Sequence, residues 1–389
     1  MPRPLITDRI AAAHAERARQ SLLRRLRTVE AVDGASIWID GKRLLSFASN
    51  DYLGLAQHPA LREALVAAAS RWGVGATAAH LLGGHRQEHA ELEDALARWT
   101  GRERALLFSD GWMANLGVVA ALLGHGDVCV QDKLNHASLI DAARLAGCEL
   151  KRYPHGDAEG ARRQLASRRE AAALVASDGV FSMEGDIAPL RALAAIATAE
   201  SATLMIDDAH GLGVLGAEGA GAVAEADLTQ RDVPILMATL GKALGVAGAF
   251  VAGSADLIDA LVQNARTYVY TTALPPAVAA AARAAVDIAR FEGWRRDRLT
   301  RLIAHFRAGA ASLGLDLAES HTPIQPITIG ASAAAIEASA RLEDAGFYVP
   351  AIRPPTVPTG KARLRVALNA LHAESDIESL LDALATVFR

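Results

Sequence analysis

Between about residues 100 and 255 the chain alternates short apolar runs with longer helical stretches, and this alternation leaves few folds open to it. The runs at 105–109, 127–131, 149–153, 173–177, 202–206, 235–239 and 249–252 are short and show no helical period. Several are apolar at nearly every position, the pattern of a strand buried on both faces. Strands separated by helix-length connections pair in parallel, because a parallel neighbour is reached only by a crossover. The expected class is α/β, with a large domain whose mostly parallel sheet is flanked by helices. Such sheets bind ligands beyond the carboxyl ends of their strands. Polar residues just after each run are therefore the first place to look for function.

The flanking segments read differently. Residues 8–30 are expected to form one helix, followed by a hairpin of 36–40 and 43–47 around Asp40-Gly41, a dipeptide suited to a two-residue type I′ turn. Asn50-Asp-Tyr-Leu-Gly-Leu55 comes next, then a helix opened by Pro59. Beyond Pro275-Pro276 lie an arginine-rich helical region over 277–313 and short strands near 324–329, 347–352 and 363–367. A final helix is led by Ser375 and Glu378 in capping-box spacing. Three segments result: an N-terminal helix and hairpin at 1–50, a large α/β domain at 51–275, and a smaller C-terminal α+β domain at 276–389. The net charge of −4 gives no electrostatic footing for nucleic acid or an anionic membrane. Only two cysteines occur, Cys129 and Cys148, which argues for a reducing compartment. No apolar run approaches the ~18–20 residues of a membrane span. A soluble, cytoplasmic protein without a metal site is expected.

Lys242 stands out among the residues at strand ends. It follows the run 235–239 in Thr239-Leu240-Gly241-Lys242 and precedes Gly245, Gly248 and another buried run. An unperturbed lysine amine is neutral in only roughly one molecule in 2,500 at pH 7. A lysine here is either a surface residue of a glycine loop or an amine made reactive by its surroundings. The stretch is not a P-loop, since a glycine directly precedes the lysine and no Ser or Thr follows it. The run 202–206 ends in Asp207-Asp208-Ala209-His210-Gly211. A lysine for a Schiff base and an aspartate for a pyridinium nitrogen point together to pyridoxal phosphate.

The remaining candidates follow from that cofactor. Alternation along the strand favours Asp207 over Asp208 for the inward carboxylate, although either could serve a turn. His210 is placed to meet the cofactor's phenolic oxygen, and Ser182, after the run 173–177, is a second candidate for the same atom. Gly111 and Trp112 open an apolar helix after a strand, so their amides can face a phosphate, with the Thr239 hydroxyl as a further donor. His136, in Leu134-Asn-His-Ala-Ser138, either caps a helix or stacks on the cofactor ring.

The segments NDYLGL, GWMANLG, DKLNHASL, GVFSMEGD, MIDDAHG, TLGKALG and YTTALPP occur in that order and, over nearly the whole chain, resemble the α-oxoamine synthases. These are fold-type-I pyridoxal-phosphate transferases that condense a small amino acid with an acyl thioester and release carbon dioxide. AAHLLGGH at 78–85, and AIRPPTVP at 351–358 with ARLRVALNALH after it, resemble the branch that takes L-alanine and a pimeloyl thioester, carried on coenzyme A or on acyl carrier protein. The resemblance implies a Schiff base on Lys242, Asp207 at the ring nitrogen and His136 against the ring face. It implies His210 and Ser182 at the phenolic oxygen, and Gly111, Trp112 and Thr239 at the phosphate. Arg24, Asn50, His136, Arg353 and Thr356 would contact substrate, with Arg353 the candidate for the amino acid's carboxylate. A homodimer is also implied, since Tyr270-Thr271-Thr272-Ala273 resembles the segment that reaches a neighbour's cofactor phosphate, Thr272 supplying the hydroxyl. Departures are mild: Trp112 replaces a Phe or Tyr, Glu184 an Asp, Leu212 a Thr, and Ala79 a Ser. The rivals are α-oxoamine synthases with other substrates, an aminotransferase or decarboxylase of the same fold, and a scaffold subunit without cofactor. The last would have no use for Lys242.

Overall fold

The computed structural model describes residue 3 and residues 5–388. They form two compact units, the larger comprising Asn50–Ser182 and Asp186–Arg298. Its centre is a sheet in the order Arg104–Phe108, Ala249–Gly253, Ile235–Thr239, Thr203–Asp207, Ala173–Asp178, Val128–Asp132, Glu149–Tyr153. Each strand lies within one residue of the sequence expectation at either end. Ala249–Gly253 is antiparallel to both neighbours, and all other pairs are parallel. The remaining strands therefore run the same way, and Phe108, Asp132, Tyr153, Asp178, Asp207 and Thr239 end on one rim. Register sets Asp178 beside Asp207, and Asp207 beside Met237.

The strands hold this geometry through apolar burial on both faces. Every residue of Val128–Asp132 and of Ala249–Gly253 is buried. Met205, Ile235, Met237 and Val251 share a core cluster with Val118 and Leu139 of the covering helices. Each such side chain contributes about 1.5–3 kcal/mol, so the polar strand ends hang on a frame that does not depend on them. The crossover helices start on short polar caps. Asp110 accepts from the Met113 amide at 2.8 Å to open Gly111–Leu122, and Asp157 accepts from the Gly160 amide at 2.8 Å to open Ala158–Ala166. The helix Pro276–Phe291 packs on Pro59–Trp72 and Gln87–Thr100, so the larger unit continues past the proline pair at 275–276.

The smaller unit comprises Met1–Ser49, Met183–Gly185 and Leu299–Arg389. The expected N-terminal helix is shorter than its sequence reading, spanning Ile6–Arg19 with no buried residue. Ser21 takes φ 56°, a left-handed turn that ends it. The hairpin Ser36–Ile39 and Lys42–Ser46 forms as expected, with positive φ at both Asp40 and Gly41 as a type I′ turn requires. The expected strand 347–352 is two pieces. Phe347–Tyr348 pairs in parallel with Lys42–Ser46, whereas Ala351–Ile352 joins Ala362–Ala367, itself paired with Ile324–Gly330. Pro350 separates them, and proline has no N–H to continue a ladder. The helical region 277–313 is also two elements, Pro276–Phe291 and Trp294–Ser312. The last helix, Glu374–Val387, starts ahead of Ser375. The Asp376 carboxylate, not the expected Ser375–Glu378 pair, caps it by accepting from the Ala373 amide at 2.8 Å. Among the described residues no helix is long and apolar enough to cross a membrane.

Candidate active site

Asp207 ends its strand with a buried carboxylate. Oδ2 accepts from Asn115 Nδ2 at 2.7 Å, and Oδ1 accepts from the Ala209 amide at 3.1 Å. The second Asn115 N–H reaches Ser138 Oγ at 2.8 Å, and that hydroxyl lies 2.7 Å from His136 Nδ1. Ser138 N also donates to Nδ1, at 3.4 Å. Nδ1 is thus the acceptor, and a neutral His136 ring carries its proton on Nε2. His136 both caps the helix Ala137–Ala146 and presents its ring to the rim, edge to face with Trp112 at 5.9 Å and 81°. Desolvation pushes its pKa below the ordinary histidine value. The Lys242 charge pushes the same way, and Asp207 pulls against both. Asp178, fully enclosed, accepts from the His136 amide, and its pKa is held well above the carboxylate range, first by burial and next by Asp207.

The adjacent Asp208 faces elsewhere. It accepts from the Ala222 amide at 2.8 Å, and burial pushes its pKa up to about 8. A Cβ on Gly211 or Gly221 would lie 2.1 or 1.9 Å from its oxygens, so both glycines are needed for the chain to fold around it.

Lys242 sits half-buried in the turn after Ile235–Thr239, closed by Gly245 N to Lys242 O at 2.8 Å and Leu240 N to Gly248 O at 2.9 Å. Its charge acts on both His136 and Asp178, so it belongs to the same group. His210, at 7 % exposure, meets Tyr52 Oη through Nδ1 at 2.7 Å, and Tyr52 Oη reaches Asn50 Oδ1 at 3.2 Å. Ser182 lies in a loop closed by the Val180–Ile187 bridge and by Phe181 N donating to Asp186 O at 3.0 Å. Gly111 lies against Thr239, where a Cβ would sit 2.8 Å from Thr239 Cγ2. Thr272 is exposed, in a segment pinned by its bridge to Ala79.

Within the smaller unit three expected residues meet. Arg24 Nη2 donates to Thr356 Oγ1 at 3.4 Å, and the Thr356 amide bonds to Arg353 O at 3.1 Å. The Arg353 guanidinium donates to the Ser21 carbonyl and, at 3.3 Å, to the Leu23 carbonyl. Arg27 is held by Asp40 at 2.7 Å and by Glu343, which separates it from Arg24 among the N-terminal arginines.

Residues 42–384 match the family model for class I and II aminotransferases. The chain is 54% identical over 382 residues to an 8-amino-7-oxononanoate synthase of Pseudomonas putida (strain GB-1), covering 97% of each chain. It is 56% identical over 375 residues to the same enzyme of Methylococcus capsulatus, covering 96% of this chain and 97% of that one. It belongs to the class I and II aminotransferase family, among the 8-amino-7-oxononanoate synthases. Among solved structures, a serine palmitoyltransferase from S. paucimobilis with bound PLP–myriocin aldimine superposes with a TM-score of 0.94 at 28% identity, covering 99% of this chain and 98% of that one. An 8-amino-7-oxononanoate synthase from Francisella tularensis gives 0.78 at 30% identity, covering 88% and 97%. Fold likeness alone does not choose a substrate, and the 54–56% identities weigh more.

As a member of this family the chain is a pyridoxal-phosphate-dependent acyltransferase, and the larger unit fits the cofactor. The Asp207 carboxylate has about four acceptor positions and two protein donors, which leaves capacity for a ring N–H. Among the described residues the buried Thr239 Oγ1 has no hydrogen-bond partner, as suits a hydroxyl aimed at a phosphate. Among the described residues no group of His, Cys, Asp and Glu is placed to hold a metal ion. Asn115, Ser138, Tyr52 and Asp178 were not singled out from sequence. Asn115 and Tyr52 lie inside recognised segments, but their partners Asp207 and His210 are 92 and 158 residues away.

Proposed function

We propose that the chain joins L-alanine to a pimeloyl thioester, giving 8-amino-7-oxononanoate, carbon dioxide and free thiol, in biotin biosynthesis. The near full-length identity to 8-amino-7-oxononanoate synthases carries this reading. Lys242 would bond the cofactor's carbonyl carbon, Asp207 its ring nitrogen, and His210 and Ser182 its phenolic oxygen. Gly111, Trp112 and Thr239 would hold the phosphate, and His136 the ring face. The cofactor, when bound, supplies a protonated ring that takes up the electron pair left when a bond at the amino acid's Cα breaks.

The chain's own residues do the rest. Asp207, braced by Asn115, holds a proton at the ring nitrogen. Lys242 Nζ removes the Cα proton of alanine and returns one after carbon dioxide has left. His136, with its proton on Nε2, covers the ring and offers a donor to the acyl carbonyl as charge develops there. Asn50, in the Tyr52–His210 chain, is a substrate contact. Arg24 and Thr356 recognise the distal carboxylate of the pimeloyl chain, for which a guanidinium fork is suited. Arg353 was expected at the amino acid's carboxylate, but two of its donors already brace the backbone just before Arg24. Arg365, buried on Ala362–Ala367, is the second candidate for that role. The enzyme works as a homodimer, with Thr272 reaching the partner's cofactor phosphate.

The test is product analysis by mass after incubation with pyridoxal phosphate. L-alanine with pimeloyl-CoA or pimeloyl-acyl carrier protein should yield 8-amino-7-oxononanoate. Product only from L-serine and palmitoyl-CoA would move the chain to the serine palmitoyltransferases.

A further inference from the structure

His155 follows the strand Glu149–Tyr153 on the same rim, and the reaction as read above makes no use of it. Its half-buried ring lies between two carboxylates, with Nδ1 3.1 Å from Asp132 Oδ1 and Nε2 2.9 Å from Asp186 Oδ2. Phe181 meets the ring edge to face, with centroids 4.4 Å apart at 90°. A neutral imidazole has one N–H and cannot donate at both nitrogens. A carboxylate at each nitrogen therefore selects the doubly protonated, cationic ring. Burial pulls the His155 pKa down, but the hydrogen bonds to Asp132 and Asp186 outweigh it and raise it to about 10.

Each carboxylate organises a different loop. Asp132 accepts from the Leu134 amide at 2.8 Å and the Gly156 amide at 2.8 Å, and its carbonyl accepts from the Asn135 amide at 3.3 Å. That turn delivers His136. The Asp186 carbonyl accepts from the Phe181 amide and closes the loop that carries Ser182. We propose that His155 is a positioning residue whose cationic ring ties the His136 turn to the Ser182 loop, fixing the stacking ring and the hydroxyl relative to each other. The proposal rests on the reading of His136 and Ser182 as cofactor contacts.

The test uses the full-length protein with His155→Gln, which removes the charge, and Asp186→Asn, which leaves His155 and Asp132 intact. Amide hydrogen exchange over 132–138 and 179–187 is measured without and with pyridoxal phosphate, whose dissociation constant is read by absorbance titration. Either variant should speed exchange in both loops, including the one not altered. It should also weaken cofactor binding about tenfold, the scale of one charged hydrogen bond. The double variant should be no worse than the worse single, because the two residues form one unit. Faster exchange confined to the altered loop, or cofactor binding within twofold of wild type, would overturn the proposal. A wild type that takes up no pyridoxal phosphate would instead overturn the reading of the site, while the cofactor-free exchange still judges the tie.

Discussion

Asp207 and Asp208 are neighbours in sequence with opposite surroundings, and their variants separate chemistry from folding. Asp207→Asn should retain cofactor yet lose turnover by about 100-fold or more, since an amide cannot hold the ring nitrogen protonated. Asp208→Asn should leave turnover within a few-fold, both read from steady-state kinetics. The second variant should also change the pH dependence of stability. Asp208 has a folded pKa of about 8 against an ordinary value of 3.8. Between those values the unfolded chain has released the proton and the folded chain keeps it, so stability falls as pH rises through that window. Thermal melts from pH 5 to 8 should therefore decline less for Asp208→Asn than for wild type. A steeper decline in the variant would contradict the buried, protonated Asp208. The alternation that favoured Asp207 in the sequence was a thin signal, because one residue of strand slippage reverses it. The bonds to Asn115 and to the Ala222 amide distinguish the two carboxylates, and neither partner was legible from the local pattern.

At the scale of elements, the strand end and the helix start act together. Gly111 and Thr239 pack so closely that a methyl group on Gly111 would press on Thr239 Cγ2 at 2.8 Å. Gly111→Ala should keep its fold, lose about 1–3 kcal/mol of stability to overpacking, and hold pyridoxal phosphate roughly tenfold more weakly at the proposed phosphate cradle. Absorbance titration checks this, and unchanged affinity would remove the cradle. The strands of the larger unit were legible because their burial on both faces writes near-continuous apolar runs. The N-terminal helix was not, because Ile6–Arg19 buries nothing and carries no apolar period to mark its end. The split at Pro350 escaped for another reason: each two-residue piece owes its state to a partner strand far along the chain.

For the whole molecule, association and cofactor binding are proposed to be linked. If Thr272 reaches the partner's phosphate, pyridoxal phosphate stabilises the dimer by mass action, and Thr272→Val should weaken cofactor retention and dimerisation together in sedimentation. A fully active monomer at assay concentration would contradict that. Acyl selection is the other proposal, and it rests on the meeting of Arg24 with Thr356. Losing one methyl group of the amino acid is worth about 1–3 kcal/mol, whereas Arg24 is exposed in this structure, and an exposed ion pair with a carboxylate is worth only about 0–1 kcal/mol. Heptanoyl-CoA should therefore be rejected no more strongly than glycine, and Arg24→Ala should erase the preference for pimeloyl-CoA in kcat/KM. The fold class was open to a sequence reader, and Lys242 and Asp207 drew notice as candidates because both follow strand ends. The proposed acyl contacts were open only through resemblance, since no local pattern joins Arg24 to Thr356. The account depends most on Lys242, and borohydride reduction of the protein loaded with pyridoxal phosphate, followed by peptide mapping, tests it most directly. The visible absorption should vanish with one label on Lys242 and none in Lys242→Ala, whereas a label on another lysine, or turnover by Lys242→Ala near the wild-type rate, would contradict the account.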